Sequence, residues 1–275
     1  MLNLKKLLEK PEAFRRLTGL SPVKFQELAV KVEPRFIQAR IKRLSQRSRK
    51  RSIGAGSKFK LSVPEALFTL VLYYRTYLPH LFIGSLMDID ESNVSRYIKR
   101  IEPLLAGIFR IPEKRIKISR EDVLGLIIDA TEQETENRKG SGWSGKKKRH
   151  TVKTQIIVNS KGKIKSVSKS VRGNIHDKKL YDQTRTFSNV KVKLKADLGY
   201  VGTSCQTPIK KQPLRGLTKK QKTDNRLFNQ QRCPVERTFA HLKNFKILAN
   251  RFRNNLNNYS LIFKNIAGLY NFQLA

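Results

Sequence analysis

Acidic residues are scarce: 21 Asp and Glu stand against 58 Lys and Arg in 275 residues, a formal charge of +37. Self-repulsion at that charge is severe unless something anionic is bound, so nucleic acid is the leading partner. The bases are spread through a globular pattern, not along one amphipathic stripe or a tail, which argues against a membrane surface. Cysteine is nearly absent. Cys205 and Cys233 lack metal-type spacing and read as packing residues rather than a disulfide. No apolar run approaches the roughly 18 residues of a membrane span, and MLNLKKLLEKPEAF lacks a signal-peptide core. The expectation is a cytoplasmic, DNA-associated protein with no membrane partner. Its 39% hydrophobic residues are enough for a core, and its length suits a moderate domain with a smaller companion.

The first 110 residues read as helical. Residues 1–45 suggest short helices, one of them with Ser21 as N-cap, Pro22 at the first helical position, and Phe25, Leu28, Ala29 and Val32 at helical spacing. Lys42 to Lys60 is a cationic stretch with two glycines and no apolar period, an arm suited to gripping phosphates. From about 62 to 101 the pattern is helix, turn, helix, turn, helix. Leu67, Leu70, Val71 and Tyr74 make one stripe, and Leu81, Ile83, Leu86 and Met87 a second. In the last helix Val94, Ile98 and Ile101 face inward, while Ser92, Asn93, Arg96 and Lys99 are available to a DNA groove. That is a helix-turn-helix layout, although three packed helices with a charged face also occur without DNA.

After the proline-bearing RIPEKRIKISRED the pattern alternates strand and helix, so 118–275 reads as a separate α/β domain. VLGLIID is typical of a buried strand. HTVKTQIIVN and KIKSVSKSV form a hairpin with Gly162 available for the turn. A helix over HDKKLYDQTRTF, a strand over VKVKLKADLGY, and a long helix from Pro234 follow.

Three acids stand where a metal site can be assembled. Asp129 ends the first apolar run, Asp197 ends KVKLKAD, and Glu236 lies one turn into the last helical pattern. Carboxylate oxygens suit hard cations, and two Mg²⁺ or Mn²⁺ ions can drive phosphodiester displacement. Each acid also has a structural explanation: a cap, a turn with Gly199, and a favourable place at a helix N-terminus. In WSGKKKRH, Lys146, Lys147, Lys148 and Arg149 offer phosphate contacts. Trp143 is available for base stacking, or for packing onto the core. Glu132, Glu134 and Glu136 read as turn residues beside the site.

The motifs DATEQ (129–133), WSGKKKRHTVKTQ (143–155), GNIHDKKL (173–180), ADLGYVG (196–202) and CPVERTFAHLKNF (233–245) resemble the DDE transposases of the insertion-sequence-five type. The resemblance implies a ribonuclease-H-like fold with Asp129, Asp197 and Glu236 as the catalytic metal-binding triad. Glu132, His176 and Asp177 are candidate supports around it. A related pattern, Tyr, two residues, Arg, three residues, Glu, six residues, Lys, falls on Asn229, Arg232, Glu236 and Lys243, so only the tyrosine is missing. Arg232 and Lys243 are then phosphate contacts. The implied activity is cleavage at the terminal repeats of an element and strand transfer into target DNA, by a homo-oligomer assembled on double-stranded DNA. A nuclease without strand transfer, and a DNA-binding regulator whose catalysis has lapsed, are the alternatives.

Overall fold

The computed structural model describes residues 2–46, 48, 52, 55, 59–119, 122, 125–184, 186–188, 192–213 and 216–275. Nine residues of the expected arm from Lys42 to Lys60, and Val123 and Leu124 of the apolar run, lie outside the described residues. The architecture is mixed α/β, and the chain divides into two compact units. One comprises Met1–Arg110, Asn244–Ile247 and Gly268–Ala275; the other comprises Ile111–Lys243 and Leu248–Ala267. The expected division was 1–110 and 118–275; in the structure Asn244–Ile247 and Gly268–Ala275 also belong to the helical unit.

The helical unit holds α1 (Leu4–Leu8), α2 (Pro11–Thr18), α3 (Pro22–Ser45), α4 (Val63–Thr76), α5 (His80–Met87) and α6 (Glu91–Phe109). Ser21 caps α3 by accepting from the Lys24 amide. Beyond that start, α3 corrects the expectation of short helices only, because it runs 24 residues with Pro34 in its interior. Pro34 removes one helical hydrogen bond, but Phe25, Leu28, Ala29, Val32 and Phe36 are buried on both sides of it and hold the helix together. A capping box between Ser62 and Glu65 starts α4, which is buried continuously from Ala66 to Tyr74. It is the central helix, against which α2, α3, α5 and α6 pack.

Helices α5 and α6 meet at a tight turn. Asp88 takes a left-handed conformation, Asp90 caps α6, and a side chain at Gly84 would lie 2.5 Å from the Ile89 carbonyl oxygen. The turn directs Ile83, Gly84 and Met87 inward and leaves Leu81 66% exposed, contrary to its expected place in the stripe. On α6, Val94, Ile98 and Ile101 are buried, while Ser92, Arg96 and Lys99 are exposed and Asn93 is half-buried. The Arg96 guanidinium donates to Asn93 Oδ1 at 2.9 Å. The helix continues past the expected end to Phe109.

The second unit contains β1 (Arg115–Ile116), β2 (Leu126–Glu134), β3 (Gly142–Ser144), β4 (Arg149–Asn159), β5 (Ile164–Val167), β6 (Val171–Arg172), α7 (Asp177–Thr184), β7 (Phe187–Ser188), β8 (Leu194–Lys195) and α8 (Lys219–Lys243). Two further helices, α9 (Lys246–Ala249) and α10 (Tyr259–Leu274), are divided between the units. The main sheet runs β3-β4-β2-β8, with β5 and β6 also paired to β4. Strand β2 is antiparallel to β4 and parallel to β8. The turn between β4 and β5 has Gly162 at φ 80°, as its sequence suggested. Ile116, Leu126, Ile128, Ile157, Ala196 and Tyr200 form the core beside β2. Among the described residues no helix is long and apolar enough to cross a membrane.

Two elements differ from the sequence reading. Strand β2 does not stop at Asp129 but continues to Glu134, because every residue from Leu126 to Glu134 is in register with β4. Glu132 and Glu134 are therefore strand residues. Helix α8 begins at Lys219, so Pro234 is interior and Glu236 is far from any helix N-terminus. Its start is marked by reciprocal hydrogen bonds between Thr218 and Gln221, a box of the Thr-x-x-Gln kind.

Candidate active site

Asp129 and Asp197 are brought together by sheet register. Strand β8 lies parallel to β2 with Leu194 opposite Leu126 and Lys195 opposite Ile127; the pairing ends there, and Asp197 follows two residues on, lining the same cleft as Asp129. Asp129 Oδ1 accepts from the Ala130 amide at 2.8 Å, and Asp197 Oδ1 accepts from the Gly199 amide at 2.8 Å. Asp197 thereby caps a 3₁₀ turn, Leu198–Tyr200. Burial is the main cause that pushes the Asp129 carboxyl up to about 6. The negative charges of Asp197 and Asp177 add to it, while the Ala130 amide and the Arg232 charge oppose it.

Asp177 joins the same cleft. Its Oδ2 and Asp197 Oδ1 lie 2.8 and 3.0 Å from the point where a Gly199 side chain would begin, so Gly199 leaves the two carboxylates facing one another. Asp177 was read as a candidate support around the site, and its carboxylate is held by Lys153 Nζ at 2.9 Å. The same ammonium donates to the Ile175 carbonyl at 2.7 Å and pairs with Glu132 at 3.2 Å.

Lys153 was missed by sequence reading. It is a buried lysine, 6% exposed, lodged in the β4 run HTVKTQIIVN, and it stands directly across the sheet from Glu132. A lone lysine in an otherwise neutral, buried strand was the available signal.

These residues line a cleft of about 600 Å³ together with Trp143, Lys146, Lys147, His176 and Lys243. Trp143 does not tuck onto the core: it sits in β3, 54% exposed, edge-on to His150. The expected lysine loop is the tip of the β3–β4 hairpin. Lys148 adopts a left-handed conformation to close its turn, and Arg149 pairs with Glu134. Of the four basic residues there, Lys146 and Lys147 line the cleft.

Arg232 and Glu236 exchange their expected places. Arg232, proposed by sequence as a phosphate contact, is 7% exposed, with Nη2 3.4 Å from Asp129 Oδ2 and Nε without a hydrogen-bond partner. Glu236 is exposed on α8 and lines a separate depression with Lys222, Asn225, Arg226, Asn229 and Cys233. Among the described residues, no three His, Cys, Asp or Glu are gathered so as to hold a metal ion. The donor chemistry of Asp129 and Asp197 fits a hard divalent cation, since ionising both in one cleft calls for a positive charge between them. The third ligand is not supplied there by Glu236, and a guanidinium now faces Asp129.

Residues 125–271 match the model of the DDE superfamily endonucleases, and residues 59–110 that of the helix-turn-helix of DDE superfamily endonucleases. A protein of Microchaete diplosiphon named as a transposase for insertion sequence element IS702 is 33% identical over 232 residues, covering 80% of this chain and 84% of its own. A protein of Streptomyces albus G named for the transposase of insertion sequence element IS112 is 24% identical over 242 residues, covering 87% and 86%. No solved structure matches significantly.

Proposed function

The chain belongs to the DDE superfamily endonucleases, among the transposases of insertion sequences, and from that membership we propose that it binds element ends and catalyses metal-dependent DNA cleavage and strand transfer. The observation that carries this reading is the Asp129–Asp197 pair, set by parallel strand register in a cleft rimmed by Lys146, Lys147 and Lys243. Superfamily members generally use divalent metals. Here Asp129 and Asp197 would hold Mg²⁺ or Mn²⁺, two ions in the full site, and Glu236, the third carboxylate of the sequence reading, would join them only by moving from its separate depression on α8. A metal held by these residues would supply activation of a water or a 3′-hydroxyl and stabilisation of the leaving oxygen. The sheet order, with β2 antiparallel to β4 and parallel to β8, supports a ribonuclease-H-like reading of the catalytic unit.

The chain's own residues do the rest. Lys146, Lys147 and Lys243 hold the DNA backbone at the cleft, and Lys148 and Arg149 extend that surface along the hairpin tip. Trp143, exposed beside the carboxylates, gives an unpaired base a face to stack on. Arg232, 3.4 Å from Asp129, is the guanidinium placed to serve a phosphate beside that carboxylate. Glu132, Lys153, His176 and Asp177 shape the wall around the pair. Ser92, Asn93, Arg96 and Lys99 on α6 face the terminal repeats, in a homo-oligomer that holds two ends. The position of Glu236, outside the cleft, favours a second reading, a DNA-binding regulator without catalysis.

Labelled element-end DNA, Mg²⁺ or Mn²⁺ and a target plasmid separate the readings. Joined products are expected. Nicks alone would make the protein a nuclease, and binding without cleavage would make it a regulator.

A second expectation concerns α6. Charge reversal of Arg96 and Lys99 should weaken end binding by roughly tenfold or more at low salt. It should also flatten the dependence of log affinity on log salt by about one to two units. Filter binding across a salt series reads both, and an unchanged slope would move end recognition away from this helix.

A further inference from the structure

Three arginines of the helical unit gather around a cavity with no acid beside them. Arg40 and Arg43 of α3 and Arg100 of α6 line a space of about 140 Å³ together with the apolar Phe36, Phe59 and Leu104. The guanidiniums of Arg40 and Arg100 lie over the Phe59 ring, 4.7 and 5.0 Å from its centroid. The ring itself is held in place. Phe36 packs edge-to-face with it at 5.6 Å, Tyr97 lies 5.9 Å away, and the Tyr97 hydroxyl accepts from the Leu61 amide at 3.1 Å. An arginine stacked on a fixed aromatic has already lost much of its freedom, so less is lost when its fork meets a ligand.

The cluster lacks a counter-charge. Among the described residues none of the three arginines forms an ion pair. Burial first, and then the positive charge of Arg43, hold the Arg100 guanidinium below its ordinary range; Arg96 and Arg40 add to this and Tyr97 opposes it. An oxyanion among these cations would turn repulsion into charge-assisted hydrogen bonds, strengthened by the apolar lining, and planar forks suit the oxygens of a phosphate. The space holds a group of a few waters' volume, about 30 Å³ each, which suits one phosphate and not a whole nucleotide.

Position points to the source of that phosphate. Arg96 stands one helical turn before Arg100 and is exposed on the face of α6 assigned to the groove, so an anion at the cavity adjoins that face. Backbone phosphates beside the helix that enters a groove are what fix a protein's register on a duplex. We propose that Arg40, Arg43 and Arg100 clamp one backbone phosphate of duplex DNA next to the stretch that α6 reads. The clamp rests on the DNA-binding reading above and adds α3 to it, since Arg40 and Arg43 lie outside the matched residues 59–110.

The full chain and its variants are titrated in metal-free buffer across a salt series, with an element-end duplex and a scrambled duplex of the same length. Arg43→Gln alters an exposed position, so circular dichroism should be unchanged while both duplexes bind roughly fivefold more weakly. Arg40→Gln, Arg43→Gln and Arg100→Gln combined should weaken both at least roughly tenfold and flatten the dependence of log affinity on log salt by about one unit, as for one lost phosphate. Lysine at the same three positions keeps the charge, so the slope should return to the parent's while affinity stays about threefold low for want of the fork. A loss confined to the element-end duplex would make these base contacts and overturn the clamp. Parent-like affinity and slope in the combined glutamine variant would overturn it while leaving DNA binding by α6 standing. A parent that binds neither duplex would sink the DNA reading and the clamp together. Inorganic pyrophosphate bound by the DNA-free parent but not by the glutamine variant, with both DNA slopes unchanged, would assign the cavity to a free phosphate instead of the duplex.

Discussion

Asp129→Asn and Asp197→Ala should each lower cleavage of element-end DNA by roughly 10³-fold, because either change removes a carboxylate from the pair on which the chemistry depends. Their effects on folding should diverge. Asp129 has its folded-state carboxyl raised to about 6 from an ordinary 3.8, first through burial and then through Asp197 and Asp177. A raised carboxyl is held protonated by the folded chain where the unfolded chain has already ionised, so the folded state loses stability as pH rises from about 4 to 6. Above that window the full cost is present. The raised value already includes the attraction of Arg232, so a neutral asparagine should relieve the cost. At pH 7 without metal, Asp129→Asn should gain up to about 3 kcal/mol against urea, from about two pKa units at 1.36 kcal/mol each. Acidification toward pH 4 should erase the gain. Urea melts at pH 7 and pH 4 in EDTA, beside a gel assay for cleavage, decide the matter. An asparagine variant that cleaves as the parent does, or that melts earlier at pH 7, would be incompatible with this site.

The sequence made some of this legible. Local chemistry was enough for the N-cap at Ser21 and the inward Val94, Ile98 and Ile101 of α6, since caps and helical period are read within a few residues. The pairing of Asp129 with Asp197 was also legible, because each follows an apolar run and two neighbouring strands carry their ends to one place. What was hidden depended on partners distant in the chain. Pro234 looks like a helix start only if the box at Thr218 and Gln221 is overlooked, and with it goes the N-terminal setting assigned to Glu236. Strand β2 looks as if it ends at Asp129 because its later residues are polar, yet nine residues of β4, Thr151 to Asn159, pair with it as far as Glu134. The exchange between Arg232 and Glu236 turns on which face of α8 meets the sheet. No spacing within the helix decides that.

Lys153 produces the largest stability effect expected here. Its ammonium is almost wholly buried and holds Glu132, Asp177 and the Ile175 carbonyl at once. Lys153→Met keeps the length and apolar stem of the side chain but leaves two carboxylates in the cleft wall without their cation. Breaking a buried pair from one side costs about 3–5 kcal/mol, since the stranded charge has lost its solvent and gained nothing. Burial alone pushes the Glu132 carboxyl up, but hydrogen bonds from Ser144 and Lys153, with the Lys153 charge, outweigh it and hold the group below its ordinary 4.5. A depressed carboxyl contributes stability above its unfolded value, and that contribution disappears as pH falls through the folded one. The gap between Lys153→Met and the parent should therefore be widest at pH 7 and should narrow in acid, where stranded carboxylates take up protons. Adding Glu132→Gln and Asp177→Asn should restore most of the loss at pH 7, because the cation is then no longer required. A loss under about 1 kcal/mol in Lys153→Met, or a loss independent of pH, would show that the lysine is not what lets these carboxylates stand in the wall of the cleft.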